Sequence, residues 1–280
     1  MTTAPPDDRG SRKRIGWIRT ATLVASIVLA VYGTAIAWVS LRQESLLFHP
    51  IPLPREYSFA PPDVHEVSVD VDGATLSALH FRLPNPKGVV FFLHGNSGNL
   101  ATWFTASSFY RDANFDLFMV DYRGFGKSTG RIGSETELRG DVRKAWDAVA
   151  PMYQGKRTVI YGRSLGTALA AGLAAEVQPD LTILVSPYWS VADLARTHFP
   201  WVPAALVRYP LATYADVRRI RTPVLLVHGE DDRLIPIDDS ERLLTVAPQG
   251  ELLRVPGAHH DDVHQFDVYL DSLARHLSRL

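Results

Sequence analysis

Residues 162–166 read Gly-Arg-Ser-Leu-Gly, so that a serine lies between two glycines at a spacing that favours a sharp turn. A β-rich run at 158–161 precedes the turn, and a helical run rich in Ala and Leu follows it at 167–176. A serine between such a strand and such a helix stands clear of the backbone, and the start of the helix directs N–H groups toward a reacting carbonyl. The pattern predicts that Ser164 is a nucleophile.

A nucleophilic serine needs a general base, and the base needs an acid that orients it. With this type of turn the three residues follow one another in the chain order Ser, Asp or Glu, His. Two adjacent acids, Asp231 and Asp232, follow one apolar strand-like run, and two adjacent histidines, His259 and His260, follow the next. Only one member of each pair can serve. We assign Asp232 as the orienting acid and His260 as the base.

The oxyanion that forms during attack on a carbonyl needs two preorganised donors. We expect the main-chain N–H of Leu165 to be one of them, because Leu165 directly follows the nucleophile. We expect the second from the N–H of Asn96, in the loop after the apolar run 89–93, where Gly95 lets the backbone approach closely. This chemistry requires no cofactor. The cluster 259–262 has no further ligand set at suitable spacing, so no metal site is predicted.

Strand and helix patterns alternate around these residues. The run 64–71 and its partner 76–83 flank an Asp-Gly turn and predict an antiparallel hairpin. From residue 89 onward, buried strands and helices alternate, which predicts a mostly parallel α/β sheet of about eight strands. Residues 187–215 break this rhythm with aromatic side chains and prolines. We interpret them as a short lid over the active site; the alternative is an ordinary crossover whose aromatic side chains pack on the sheet.

The N-terminal part of the chain has a different composition. Residues 1–19 are polar and basic, and residues 20–41 form an uncharged apolar run that as a helix is long enough to cross a hydrocarbon core of about 30 Å. The positive-inside rule predicts a single-pass membrane protein with a cytoplasmic basic tail and an extracytoplasmic main domain. The small-x-small sequence Ala-Ile-Ala at 35–37 leaves a cleaved signal peptide as the alternative. Residues 42–62, rich in proline, are predicted to form an extended linker.

The composition limits the other possibilities. The chain has 280 residues, a formal net charge of −1 and no cysteine. One domain at 63–280 accounts for most of this length. The neutral charge balance gives no indication of a nucleic-acid partner, and the lack of cysteine excludes disulfides and a thiol nucleophile. The oligomeric state does not follow from these properties.

Several motifs together resemble a known family. They are residues 45–50 (Ser-Leu-Leu-Phe-His-Pro), 94–96 (His-Gly-Asn), 121–126 (Asp-Tyr-Arg-Gly-Phe-Gly), 162–166, 222–229 (Thr-Pro-Val-Leu-Leu-Val-His-Gly) with Asp232, and 257–262 (Gly-Ala-His-His-Asp-Asp). From Glu44 onward the sequence resembles the serine-type α/β-hydrolases, in the membrane-anchored branch that includes the protein depalmitoylases and related bacterial hydrolases. The last motif usually reads Gly-Ala-Gly-His-Asn-Asp in that family, which implies that His260 is the catalytic histidine.

The resemblance implies an α/β-hydrolase fold and hydrolysis of an ester, thioester or similar acyl bond through an acyl-enzyme. The predicted lid and anchor favour a small-molecule or lipid-like acyl substrate. The chain lacks the Cys-rich N-terminus of the mammalian depalmitoylases, so their specific activity is not implied. A serine peptidase of the same fold and a catalytically silent, membrane-anchored binding protein are the alternatives. Arg123 is expected to pair with a carboxylate such as Asp141 and so to hold its loop.

Overall fold

The computed structural model describes residues 9–59, 63–105 and 107–280, whose helices and strands alternate along most of the chain. The strands are β1 His49–Pro50, β2 Val64–Val71, β3 Ala74–Phe81, β4 Gly88–Leu93, β5 Ser97–Gly98, β6 Phe115–Val120, β7 Arg157–Arg163, β8 Leu181–Val185, β9 Val224–Gly229 and β10 Gly250–Val255. The α-helices are α1 Arg9–Leu41, α2 Gln43–Leu47, α3 Leu100–Trp103, α4 Ser107–Ala113, α5 Glu135–Val149, α6 Gly166–Val177, α7 Val191–His198, α8 Thr213–Val217, α9 Ile237–Val246 and α10 Asp267–Ser278. Short 3₁₀ turns occupy Ala150–Tyr153, Ala204–Leu206 and Val263–Gln265.

Eight of the strands form one sheet in the order β10-β9-β8-β7-β4-β6-β3-β2. The pairs β2–β3 and β3–β6 are antiparallel, and the remaining neighbours are parallel. Every residue of β4, β6, β8 and β9 is buried, as expected for strands covered by helices on both faces. The predicted mostly parallel sheet of about eight strands, with an antiparallel hairpin at its edge, is confirmed.

Local sequence explains the helix that covers one end of this sheet. The hydroxyl of Ser134 caps α5 by accepting a hydrogen bond of 3.1 Å from the Glu137 N–H. Arg123 makes a two-pronged ion pair with Asp141 on the same helix, with Nε–Oδ2 at 2.5 Å and Nη2–Oδ1 at 2.9 Å. The predicted Arg123–Asp141 pair is therefore confirmed, and it ties the loop after β6 to α5.

The chain divides into two units between Gln43 and Glu44. The first contains α1, whose part Trp17–Leu41 has a mean hydropathy of 2.0 and is long and apolar enough to cross a membrane. A helix of this kind near the N-terminus fits either a membrane anchor or a signal sequence. Residues 1–8 of the predicted basic tail lie outside the described residues.

The predicted linker at 42–62 differs from the expected extended segment. Its first half contains α2 and β1, and β1 pairs in parallel with β5 of the second unit. Phe48 is only 5% exposed and packs edge-on against Tyr209 at a centroid distance of 5.4 Å. The free energy gained by burying this aromatic side chain outweighs the preference of the proline residues for an isolated, extended conformation. Residues 60–62 of the segment lie outside the described residues.

The segment 187–215, interpreted above as a lid, contains α7 and the turn at Ala204–Leu206. Its aromatic side chains fall into two groups. Trp189 stacks on Tyr214 with the ring centroids 4.6 Å apart, whereas Phe199 and Trp201 are 44% and 43% exposed. The segment thus combines packed aromatic side chains with apolar groups that face solvent.

Candidate active site

The turn between β7 and α6 holds Ser164 in a strained conformation. Its φ angle is 50°, in the left-handed region that residues with side chains rarely adopt. A β-carbon built on Gly162 would lie 2.5 Å from the carbonyl oxygen of Gly166, and one built on Gly166 would overlap the carbonyl oxygen of Leu93. The two glycines are therefore required by the close backbone packing that exposes the serine.

Ser164, His260 and Asp232 form a continuous chain of hydrogen bonds. His260 Nε2 lies 2.9 Å from Ser164 Oγ, and His260 Nδ1 lies 2.7 Å from Asp232 Oδ2. Because an ionised carboxylate only accepts, Nδ1 carries a proton and donates it to Asp232. In the neutral imidazole, Nε2 is then free to accept the hydroxyl hydrogen of Ser164.

The Asp232 carboxylate is almost fully buried and receives several donors. Its Oδ1 accepts the main-chain N–H of Ile235 at 2.9 Å, and its Oδ2 lies 3.4 Å from Nε2 of the buried His228. Burial alone would raise the pKa of Asp232, but the donors from His228, His260 and the Ile235 amide together hold that pKa well below its ordinary value. The carboxylate that orients His260 therefore stays ionised.

The other members of the two adjacent pairs, His259 and Asp231, do not take part in this series of hydrogen bonds. His259 Nδ1 is hydrogen-bonded to the carbonyl oxygen of Asp231 at 2.9 Å, and its main-chain N–H donates to Asp262 Oδ1 at 2.7 Å. Its side chain is exposed. Of the residues considered from sequence, the structure thus brings His260 and Asp232 to Ser164, and leaves His259 and Asp231 in the adjoining turns.

The two expected oxyanion donors belong to loops that meet beside Ser164. Asn96 and Leu165 both line the cavity that contains Ser164. Among the described residues, neither main-chain N–H has a hydrogen-bond acceptor. Asn96 is held in place by the segment before β2: its carbonyl accepts the His49 N–H at 2.7 Å, and its side-chain amide donates to the Leu47 carbonyl at 3.0 Å.

The sequence did not mark Arg163 as a residue of the site. Its Nη2 donates hydrogen bonds to the carbonyl oxygens of His260 at 3.3 Å and Asp261 at 2.9 Å. Its guanidinium lies over the ring of Trp103, 5.4 Å from the centroid. Arg163, which directly precedes Ser164, therefore holds the loop that carries His260. Its position between the glycine and the serine of the motif was the only sequence signal.

A buried pair supports the loop that carries Asn96. His94 Nε2 lies 3.2 Å from Asp121 Oδ1, and both side chains are fully buried. The hydroxyl of Tyr122 donates to the His94 carbonyl at 2.8 Å. These contacts give His94 a structural role. The partner, Asp121, could have been noticed as the first residue of the motif 121–126.

Comparison with known proteins places these features in a family. Residues 84–210 match the sequence profile described as Serine aminopeptidase, S33. Over 269 residues the chain is 32% identical to an uncharacterized protein of Mycobacterium tuberculosis, covering 91% of this chain and 94% of that protein. It is also 32% identical over 203 residues to the human Alpha/beta hydrolase domain-containing protein 17B, covering 70% of this chain and 68% of the relative. The chain belongs to the α/β-hydrolase superfamily.

Solved structures agree with this α/β-hydrolase fold. The esterase PF2001 of Pyrococcus furiosus superposes with a TM-score of 0.66 at 19% identity, over 83% of this chain and 97% of that one. At this identity the likeness concerns the fold alone. Family and fold together support a hydrolase.

In this α/β-hydrolase a cavity of about 280 Å³ opens beside Ser164. Its walls are largely apolar, and many of their side chains come from two parts of the chain, the 187–215 segment and α2. They include Tyr188, Val191, Leu194, Phe199, Leu46 and Leu47. Leu46 and Leu234, which also line it, are 41% and 55% exposed, so apolar side chains extend from the cavity to the surface.

Proposed function

We propose that this α/β-hydrolase is a serine hydrolase that cleaves a carboxylic ester or thioester through an acyl-enzyme. The observation that carries the proposal is the chain of hydrogen bonds from Asp232 through His260 to Ser164. Hydroxyl, imidazole and buried carboxylate in this order are the groups that activate a serine at neutral pH.

In the proposed mechanism, His260 Nε2 takes the hydroxyl proton as Ser164 Oγ attacks the acyl carbon. Asp232 holds the imidazole in the required tautomer and stabilises the imidazolium. The amides of Asn96 and Leu165 donate to the developing oxyanion, and the loss of one such donor typically costs about 3 kcal/mol of transition-state stabilisation. His260 then returns the proton to the leaving group, and a water activated by the same histidine releases the acid.

The apolar walls beside Ser164 favour an acyl chain over a charged substrate. Leu194 and Val191 on α7 and Leu47 on α2 supply aliphatic surface there. Phe199 and Leu234 continue that surface outward. A lipid-like acyl group would bury its chain against these residues while its carbonyl reaches Ser164.

We further propose that α1 anchors the enzyme in a membrane, with the N-terminus in the cytoplasm and the hydrolase domain outside it. The support is the uncharged span that ends at Leu41, together with the basic residues before it. A cleaved signal peptide is the alternative. Alkaline extraction of membranes, combined with N-terminal sequencing of the mature protein, separates the two. An anchor stays in the pellet and keeps the residues before Trp17.

Labelling with a fluorophosphonate and turnover of acyl p-nitrophenyl esters test the enzymatic proposal. We expect wild-type protein to label and to hydrolyse the esters, and Ser164→Ala to do neither. Because the matching profile is described as a serine aminopeptidase, aminoacyl amides are the second substrate class to include. Faster cleavage of amides than of esters would favour a peptidase. A wild-type protein that neither labels nor turns over would favour a binding protein.

A further inference from the structure

A second cavity, of about 450 Å³, lies on the face of the sheet opposite the one that packs against α6. It is lined by residues of strands β4, β6 and β7, of helices α4 and α10, and of the segments 97–105 and 261–264. Apolar side chains form much of its wall, among them Phe92, Leu117, Met119 and Leu270. Ser164, Asp232 and His260 are not among its lining residues, so it is separate from the proposed catalytic cavity.

Three tyrosines line this cavity with unused hydrogen-bonding capacity. The hydroxyls of Tyr161 and Tyr269 lie 2.9 Å apart, so one donates to the other and one hydrogen remains. Tyr110 is only 4% exposed, and within the described part of the chain its hydroxyl has no hydrogen-bond partner. A phenol hydrogen that faces a cavity without a protein acceptor can be donated to an acceptor that enters the cavity.

Arg163 lines the same cavity and supplies a positive charge. Its Nη2 donates to the two loop carbonyls described above, and its Nη1 lies 3.2 Å from Nδ1 of His264. Among the described residues, the Nε–H of Arg163 and the second hydrogen on its Nη1 have no acceptor. In the same part of the chain no carboxylate lies within ion-pair distance of Arg163. Asp261, which also lines the cavity, meets Arg163 through its main-chain carbonyl.

The charge of Arg163 acts on two of the three tyrosine hydroxyls, those of Tyr161 and Tyr269. Burial raises the pKa of both Tyr161 and Tyr269, and the nearby guanidinium opposes that rise. The cavity therefore combines hydrogen-bond donors from Arg163 and the tyrosines with an apolar wall that includes Phe92, Leu117 and Met119. A ligand that fits has an anionic acceptor at one end and a hydrocarbon body.

We propose that this second cavity binds a carboxylate amphiphile, with the carboxylate at Arg163 and the tyrosine hydroxyls and the hydrocarbon chain between the sheet and Leu270. A carboxylate accepts the remaining guanidinium and phenol hydrogens in charge-assisted bonds. The chain replaces water against Phe92, Leu117 and Met119. Binding at this site involves no covalent step and does not depend on the proposed reaction at Ser164.

Photo-crosslinking on the full chain in lipid nanodiscs tests the site. The probe is a ten-carbon carboxylate with a diazirine near its chain end, and peptide mapping locates the label. We expect labelling of α4 or α10, with unlabelled decanoate competing about tenfold better than decanol, because a carboxylate accepts charge-assisted hydrogen bonds that a neutral alcohol does not. Ser164→Ala should label equally, which separates this site from the failure or success of the enzymatic proposal.

Matched variants fill one cavity at a time. Leu270→Trp occupies the second cavity and should abolish the label on α4 and α10, whereas Leu194→Trp occupies the cavity at Ser164 and should leave it unchanged. Tyr110→Phe removes one donor with little change in shape and should weaken decanoate competition several-fold at an unchanged melting temperature. If Leu270→Trp does not fold, decanoate competition in Tyr110→Phe still tests the proposal. Equal competition by decanol, or a label lost in Leu194→Trp and kept in Tyr110→Phe, overturns the proposal.

Discussion

Arg163 donates a hydrogen bond of 2.9 Å to the main-chain carbonyl of Asp261, and so links the residue before Ser164 to the residue after His260. The two residues are far apart in sequence, yet this contact and its neighbour at the His260 carbonyl set the distance between Ser164 and His260. Arg163 is therefore a positioning residue, since it acts on the proposed reaction through the His260 loop.

Arg163→Met is expected to lower kcat for a short acyl ester by roughly 10–100-fold with a smaller change in KM, because misplacement of a catalytic group by about 1 Å has an effect of this size. Stopped assays over a range of pH measure kcat and KM for both the variant and the wild type. Arg163→Lys keeps one donor and should restore part of the rate. Equal losses in kcat for both variants at a lowered melting temperature would indicate a general role in stability instead.

Replacing each of the adjacent histidines tests which one is the base. His260→Ala removes the group 2.9 Å from Ser164 Oγ and should lower kcat by roughly 10³–10⁴-fold or more. His259→Ala removes an exposed side chain bonded to the Asp231 carbonyl and should leave kcat within about twofold. Initial rates on one p-nitrophenyl ester are sufficient. A large loss in His259→Ala with an active His260→Ala would reverse the assignment.

Leu194→Trp is expected to shorten the preferred acyl chain. Leu194 lines the cavity beside Ser164, and a larger side chain there removes space that a long chain would occupy. Over a series of p-nitrophenyl esters, kcat/KM for long chains should fall by roughly 10–100-fold while acetate hydrolysis stays near wild type, since each lost methylene contact is worth about 0.8 kcal/mol. The matched control is Leu270→Trp, in the other cavity. A uniform loss at all chain lengths would place the acyl chain elsewhere.

The turn around Ser164 could be predicted because its requirements are local. The two glycines, the strand and the helix lie within a few residues of each other, and steric exclusion at Gly162 and Gly166 depends on neighbouring backbone. The strand bounds were predictable for the same reason, since unbroken apolar runs such as 89–93 coincide with strands buried on both faces. The order in which Asp232 and His260 follow Ser164 along the chain was predicted from the topology associated with this type of turn.

Tertiary contacts, rather than local patterns, determine several other features of the structure. The choice between His259 and His260 depends on how the turn after β10, which contains Gly257 at φ 74°, directs two consecutive side chains. The packing of residues 45–50 against the rest of the domain depends on the contact between the rings of Phe48 and Tyr209, which are distant in sequence. The second cavity depends on α4 and α10 covering the same strands. No local pattern encodes such pairings.

The buried histidine His80 is expected to make the stability of the fold depend on pH. Its Nε2 is 2.7 Å from the hydroxyl of Tyr153, which in turn donates to Asp116 at 2.5 Å. Burial, aided by Arg82, lowers the pKa of His80 from 6.5 to about 4. Between these values the unfolded chain binds a proton that the folded chain does not, so the free energy of unfolding falls as pH drops from 6.5 to 4, by up to about 3 kcal/mol.

Urea unfolding of the full chain in detergent at several pH values measures this slope. His80→Gln keeps an N–H donor toward Tyr153 but cannot titrate, so its unfolding free energy should fall less between pH 6.5 and pH 4 than that of wild type. Burial raises the pKa of Asp116, which stabilises the fold on acidification and therefore reduces the net slope. His49→Gln, at an exposed residue of β1 that is not among the groups that shift the pKa of His80, is the control and should retain the wild-type slope. Parallel slopes for wild type and His80→Gln would show that His80 does not titrate differently in the two states.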